Sequence, residues 1–101
     1  MSHPITVGTI FEDQWGYDQT NVDFYQVVAV TPATVMVRPI ADRRTGTARS
    51  MCGHALPRPN QFTGPARRKR PYTWRDHWYI RSEHGSCRVW DGQASYYSTD
   101  H

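Results

Sequence analysis

Apolar and polar residues alternate over several short stretches of this chain, which is the period of a half-buried β-strand. Residues 5–11 (ITVGTIF) predict a first strand, with Ile5, Val7 and Phe11 on one face and Thr6 and Ile10 on the other. Residues 12–21 are polar and rich in turn formers. Residues 22–30 (NVDFYQVVAV without its Asn) give the clearest strand. Val22, Phe24, Val28 and Val30 share one face, interrupted by Gln26, and Tyr25, Val27 and Ala29 share the other, as expected of a strand covered on both sides. Pro32 presets a turn. Residues 34–40 then return with Val35 and Val37 inward and Met36 and Arg38 outward, so a hairpin is predicted here. A second hairpin is predicted from residues 78–82 and 86–90 across Glu83-His84-Gly85.

Between the hairpins the pattern fades. Residues 41–64 hold three glycines and two prolines with little periodicity, and are expected to be poorly structured, with at most a short strand near residues 47–52. Residues 65–71 (PARRKRP) place a basic run between prolines, which predicts an edge strand or a projecting loop. Residues 95–99 read as a closing strand or a tail, with residues 97–101 flexible. The whole predicts one mostly β domain over residues 1–101: a small antiparallel barrel or rolled sheet of five to six strands, of SH3-like or OB-like size.

Composition supports this reading. Leu56 is the only leucine, which argues against a helical bundle. Rings make up 13% of the chain against 38% for all hydrophobic residues, so four Trp, six Tyr and three Phe supply much of the core material. A length of 101 residues fits one domain. The opening residues carry neither a basic stretch nor a long apolar run, and no window approaches the ~18 apolar residues of a membrane span, so a cytoplasmic protein without membrane contact is expected. Two cysteines, Cys52 and Cys87, are too few for a disulfide-built scaffold and are expected to be free thiols.

Charge is unevenly distributed. Residues 1–37 carry four acids and no Lys or Arg, for a net of −4. All twelve basic residues lie between Arg38 and Arg88, and against five acids they leave residues 38–101 at +7. Such segregation favours an anionic partner if folding keeps the charges together.

The segment WGYDQTNVDFYQVV, residues 15–28, resembles the signature of a family of small proteins encoded by bacteriophages and other mobile elements. Trp90-Asp91-Gly92 matches the ending that accompanies it. The two motifs frame most of the chain and leave residues 41–76 uncovered. The resemblance implies a phage or prophage origin and action in the cytoplasm of a bacterial host. It brings no established activity and no catalytic residues.

The first candidate site is the basic, aromatic segment. Arg67, Arg68, Lys69 and Arg70 are followed by Tyr72, Trp74, Arg75 and Trp78, with Arg81 beyond. Cations neutralise phosphates and release counterions, while rings stack on bases, so this interleaving suits nucleic acid. An acidic protein surface would meet the same charges, and a solvated edge with its rings turned inward is the plain structural alternative. The second candidate is Trp15, Tyr17, Asp18, Gln19, Asn21 and Tyr25, where rings stand beside amide and carboxylate groups. It suits a host protein or a small nucleotide-like ligand, as an inhibitor or counter-defence protein would need, or else it is a self-bonded loop sealing one end of the fold.

Cys52-Gly53-His54 and His84-Gly85-Ser86-Cys87 hold four ligand types for zinc, but Cys-x-His is tighter than the usual spacing, and no metal is expected. No phosphate-binding glycine loop, HExxH or serine elbow is present. The chain is therefore expected to be a binding protein without cofactor or catalytic residues.

Overall fold

The computed structural model describes residues 3–15, 21–45, 52–82, 85–92 and 95–98. They form one antiparallel sheet and no helix among the described residues. The strands are β1 (Ile10–Trp15), β2 (Asn21–Val30), β3 (Val35–Thr45), β4 (Cys52–Phe62), β5 (Arg67–Lys69), β6 (Tyr72–Trp74), β7 (His77–Ser82), β8 (Gly85–Val89) and β9 (Ser95–Ser98). The order across the sheet is β6-β7-β8-β1-β2-β3-β4-β9, with β5 pairing β3 beside the end of β4. The mostly β, antiparallel class is as expected. The expected five to six strands in a barrel or rolled sheet differ from it in number and closure: among the described residues nine strands form a single sheet whose ends, β6 and β9, do not join.

Both predicted hairpins are present, as β2–β3 and β7–β8. A bulge between Val27 and Ala29 shifts the register of the first. It ends the alternation of β2, so Ala29 and Val30 are exposed although Val22, Phe24 and Val27 are buried.

The first strand starts later than its pattern indicates. Gly8 adopts φ +98°, and Thr9 N–H donates to the Thr6 carbonyl, so residues 6–9 form a tight turn. Val7 is consequently 60% exposed while Ile5 is buried, and the two do not share a face.

The stretch 41–64 also differs from expectation. β3 runs to Thr45 and all of β4 lies here, paired from Thr45↔His54 to Ile40↔Phe62. Among the described residues β9 pairs with residues 52–55 of β4, and Pro57 and Pro59 lie beyond that paired stretch. The register shift between Ile40 and Asp42 absorbs extra residues of β4. Asn60 takes a left-handed φ of 67° there; its backbone N–H donates to Oε1 of buried Gln26 at 2.7 Å, and its side-chain Oδ1 accepts Gln26 Nε2 at 2.9 Å. Of the two readings for residues 95–99, a closing strand or a tail, the strand is found: β9 spans Ser95–Ser98.

β4 and β5 form one interrupted course along β3. The interruption falls opposite Pro39, which has no N–H to continue the ladder. Thr63 N–H reaches the Pro39 carbonyl at 2.9 Å, and Arg38 Nε spans the break to the Gly64 carbonyl at 2.9 Å. Gly64 is required at this point, since a Cβ would stand 2.8 Å from Pro39 Cγ. This corner turns the basic run into β5.

The central strands are buried on both faces. One cluster comprises Ile5, Phe11, Val27, Val35, Val37, Ile80 and Cys87, flanked by Tyr25 and Trp78. The other comprises Val22, Phe24, Ile40 and Ala55, flanked by Ile10, Phe62 and Trp90. Neighbours such as Ile10 and Phe11 thus point into different cores, as strand geometry requires. Glu12 is buried on the second face, where its Oε1 accepts Arg88 Nη2 at 3.0 Å and Gln14 Nε2 at 3.0 Å.

Candidate functional site

The register of β5 decides where its charges go. Arg67 stands opposite Val37 and Lys69 opposite Val35, so both side chains rise on the face of the first core cluster, and Arg68 with Met36 takes the other face. Across the cluster, β7 and β8 place Ile80 and Cys87 opposite each other, both buried. A hollow of about 200 Å³ lies between these strands. Val37, Ile80 and Cys87 form its floor and Tyr25 and Ser82 its walls, while Arg67, Lys69 and Arg81 stand at its mouth.

This hollow adjoins one surface groove, and that groove adjoins a second. Lys69 and Arg81 also line the first groove, together with Arg68, Arg70, Pro71 and Tyr72. Arg70, Pro71 and Tyr72 continue into the second groove, with His3, Thr73 and Trp78. Shared residues make the three concavities one track. Five cations line it: Arg67, Arg68, Lys69, Arg70 and Arg81. Among the described residues the ion pairs are Arg44–Asp42 and Arg88–Glu12, and neither uses a cation of the track.

The rings differ in accessibility. Tyr72 stacks on Tyr79 at 5.7 Å, hydrogen-bonds Ser86 through its hydroxyl, and holds the Arg81 guanidinium 5.5 Å from its centroid. It positions Arg81 as much as it offers a surface. Trp78 is half-buried against the first cluster and meets His3 edge-on at 6.3 Å. His3 in turn secures the amino-terminal segment. Its Nε2–H is shared between the carbonyls of Thr31 (2.9 Å) and Thr34 (3.1 Å), and Nδ1 accepts Ile5 N–H at 3.3 Å. Trp74 is 58% exposed at the tip of the β6–β7 hairpin. Arg75 covers its ring at 4.5 Å, and Arg75 and Asp76 both take the left-handed φ that a two-residue hairpin turn demands. Trp74 and Arg75 therefore stand apart from the track, and the other seven residues of the first candidate set line it.

The second candidate set is only partly placed. Trp15 ends β1 opposite half-buried Asn21, and Tyr17, Asp18 and Gln19 lie outside the described residues. Tyr25 joins the basic residues, as a wall of the hollow. Val37, Ile80, Ser82 and Cys87 were not legible as site residues, because each reads in sequence as an ordinary strand position. The alternation around Arg81 and Arg88 marks Ile80 and Cys87 as inward, but nothing in the sequence brings β5 to β7.

Beneath the hollow the chemistry changes sign. Ser82 Oγ donates to Asp13 Oδ2 at 2.6 Å, and Asp13 is buried beside Asp23, its register partner on the neighbouring strand β2. Burial, followed by the field of Asp13, pushes the Cys87 thiol up from 9.0 to about 12, with Ser82 and Lys69 opposing in part. Cys87 is thus a neutral thiol and a poor nucleophile at neutral pH. The consequence for stability follows from the sign of this shift. Below about pH 9 the thiol is protonated in both folded and unfolded chains. Between about pH 9 and 12 only the unfolded chain loses its proton, so stability is expected to fall as pH climbs through that window. Urea midpoints of the wild type against Cys87→Ala measure this, the variant losing less stability over that range.

The four candidate zinc ligands do not assemble in what is described: Cys87 is in the first core cluster, His54 is exposed on β4, and the side chains of Cys52 and His84 lie outside the described residues. Among the described residues no three His, Cys, Asp or Glu side chains converge on a metal position. Comparison with protein-family models, with curated proteins and with solved structures finds no match to this chain.

Proposed function

We propose that the chain binds nucleic acid in single-stranded form along the β5–β7 track. The observation that carries this reading is the gathering of five cations, none in an ion pair among the described residues, on adjoining concavities with Tyr25, Tyr72 and Trp78 among them. Polyphosphate chains are met by such groupings of guanidinium and ammonium groups, and the grooves leave room for splayed bases beside the backbone. Arginine suits the role because its planar fork matches phosphate oxygens and stacks on rings. We read the approach of β5 to β7 as a half-open roll of SH3-like size. The resemblance to phage and mobile-element proteins fits an accessory protein acting on nucleic acid in a bacterial cytoplasm, without catalysis.

Fluorescence anisotropy of a labelled oligothymidylate tests this. Between about 50 and about 200 mM salt, log K is expected to fall linearly with log salt, with a slope of about −2 to −4 if three to five phosphates are neutralised. A flat response, or no binding at the lowest salt, excludes the proposal.

A further inference from the structure

We infer that the hollow at the head of the track takes one unpaired nucleobase, inserted edge-first while its flanking phosphates stay on the rim. This deepens the nucleic-acid reading and rests on it.

Size is the first argument. Pockets that engulf a whole small ligand span roughly 300–1,000 Å³. At about 200 Å³ this hollow suits a single ring whose remainder stays outside. A polymer that turns one group inward has that shape.

Chemistry is the second. The floor of Val37, Ile80 and Cys87 is apolar and buried, and Tyr25 offers a ring at the side. An anion would be stripped of water there. It would also approach the Asp13 carboxylate, which lies one hydrogen bond behind Ser82. A phosphate is therefore confined to the rim, where Arg67, Lys69 and Arg81 stand. A neutral heteroaromatic ring is suited to the interior. The two environments are adjacent, as base and phosphate are in a nucleotide.

Continuity is the third. Lys69 and Arg81 belong to the hollow and to the neighbouring groove alike, so a strand leaving the hollow enters a cationic path at once. A duplex keeps its bases stacked inside, and insertion needs a strand whose bases are free or extruded.

The test compares an oligothymidylate with an abasic oligomer of equal length and charge, both titrated by anisotropy into the intact protein at one salt concentration. The abasic oligomer is expected to bind roughly tenfold more weakly. In a second arm Cys87→Leu, which fills the floor, is expected to weaken the oligothymidylate and leave the abasic oligomer unchanged, with a thermal melt confirming that it folds. The abasic comparison needs no variant and stands if Cys87→Leu does not fold. Equal affinity for the two oligomers overturns base insertion and leaves the polyanion reading intact. Polyglutamate of matched charge binding as tightly as oligothymidylate also overturns it, since charge alone would then account for the affinity. Absence of binding to either oligomer removes both readings.

Discussion

Replacing Arg67, Arg70 and Arg81 together with glutamate is expected to abolish oligonucleotide binding, lowering affinity by more than about a hundredfold. The three residues sample the whole track: Arg67 at the hollow, Arg81 where hollow and first groove meet, and Arg70 where the grooves meet. A pair of charges at contact distance is worth about 1 kcal/mol even in the dielectric of bulk water, and reversal turns attraction into repulsion of similar size. Three reversals therefore sum to several kcal/mol, and the net charge passes from +3 to −3. The fold is expected to survive, because all three side chains are exposed and none forms an ion pair among the described residues. Lys69 is deliberately spared. Its charge faces Cys87 and the Asp13 region, where an added acid would strain the core. Substituting the same three positions with lysine retains the charge, and is expected to cost far less affinity than reversal. Anisotropy gives the affinities and circular dichroism melts give the folding control.

Phe11→Ala is expected to be the most damaging single change to stability, at about 3–5 kcal/mol. Phe11 is fully buried in the first core cluster, on the strand that joins β2 to β8, opposite Tyr25 and Val89. Its removal leaves a void where both halves of that core meet, and the strands on either side are fixed by their ladders and cannot close it. Against a total of about 5–15 kcal/mol for a domain of ordinary stability, most of the margin disappears. Val7→Ala is the matched control: Val7 is 60% exposed beside the Gly8 turn and is expected to shift stability by no more than about 0.5 kcal/mol. Urea unfolding measures both, the Phe11 variant showing a lowered midpoint at similar slope. Because Val37, Ile80 and Cys87 belong to the same cluster, oligonucleotide binding is expected to weaken with it.

The parts of the fold that were legible in the sequence are those whose information is local. Alternation of Val22, Phe24, Val35 and Val37 around Pro32 sufficed for the β2–β3 hairpin, and that of Ile80 and Cys87 for β7–β8. The prolines around the basic run pointed to an edge strand or a projecting loop, and of the two the strand is found, as β5 paired to β3. What escaped was set by neighbours distant in the chain. β4 contains Pro57 and Pro59 and reads as a loop, yet it is held as a strand by β3 and by the two hydrogen bonds of the Gln26 side chain to the backbone N–H and side-chain Oδ1 of Asn60, 34 residues away. The first strand was misplaced because Gly8 was read as part of the alternation, whereas its positive φ makes a turn.

The candidate site follows the same division. Its cations and rings could be named from residues 67–81 alone. That Arg67 and Lys69 face the core side while Arg68 does not is a matter of register, which depends on where β5 joins β3 after the break at Pro39. Tyr25 was assigned to a different surface because its sequence neighbours are those of the opening motif, and only the pairing of β1, β2 and β3 carries it to the hollow. The floor residues are ordinary strand positions, and their role arises where the sheet curls.

The central claim is that a single strand of nucleic acid lies along the concavities between β5 and β7. Amide chemical-shift mapping of the isotope-labelled protein, titrated with oligothymidylate, locates the contact directly. The expected result is a continuous set of perturbed amides at Arg67, Lys69, Arg70, Tyr72, Arg81 and Ser82, extending to Tyr25 and Cys87. Perturbations confined to the β4–β9 end of the sheet, or a spectrum unchanged by saturating oligonucleotide, would contradict it.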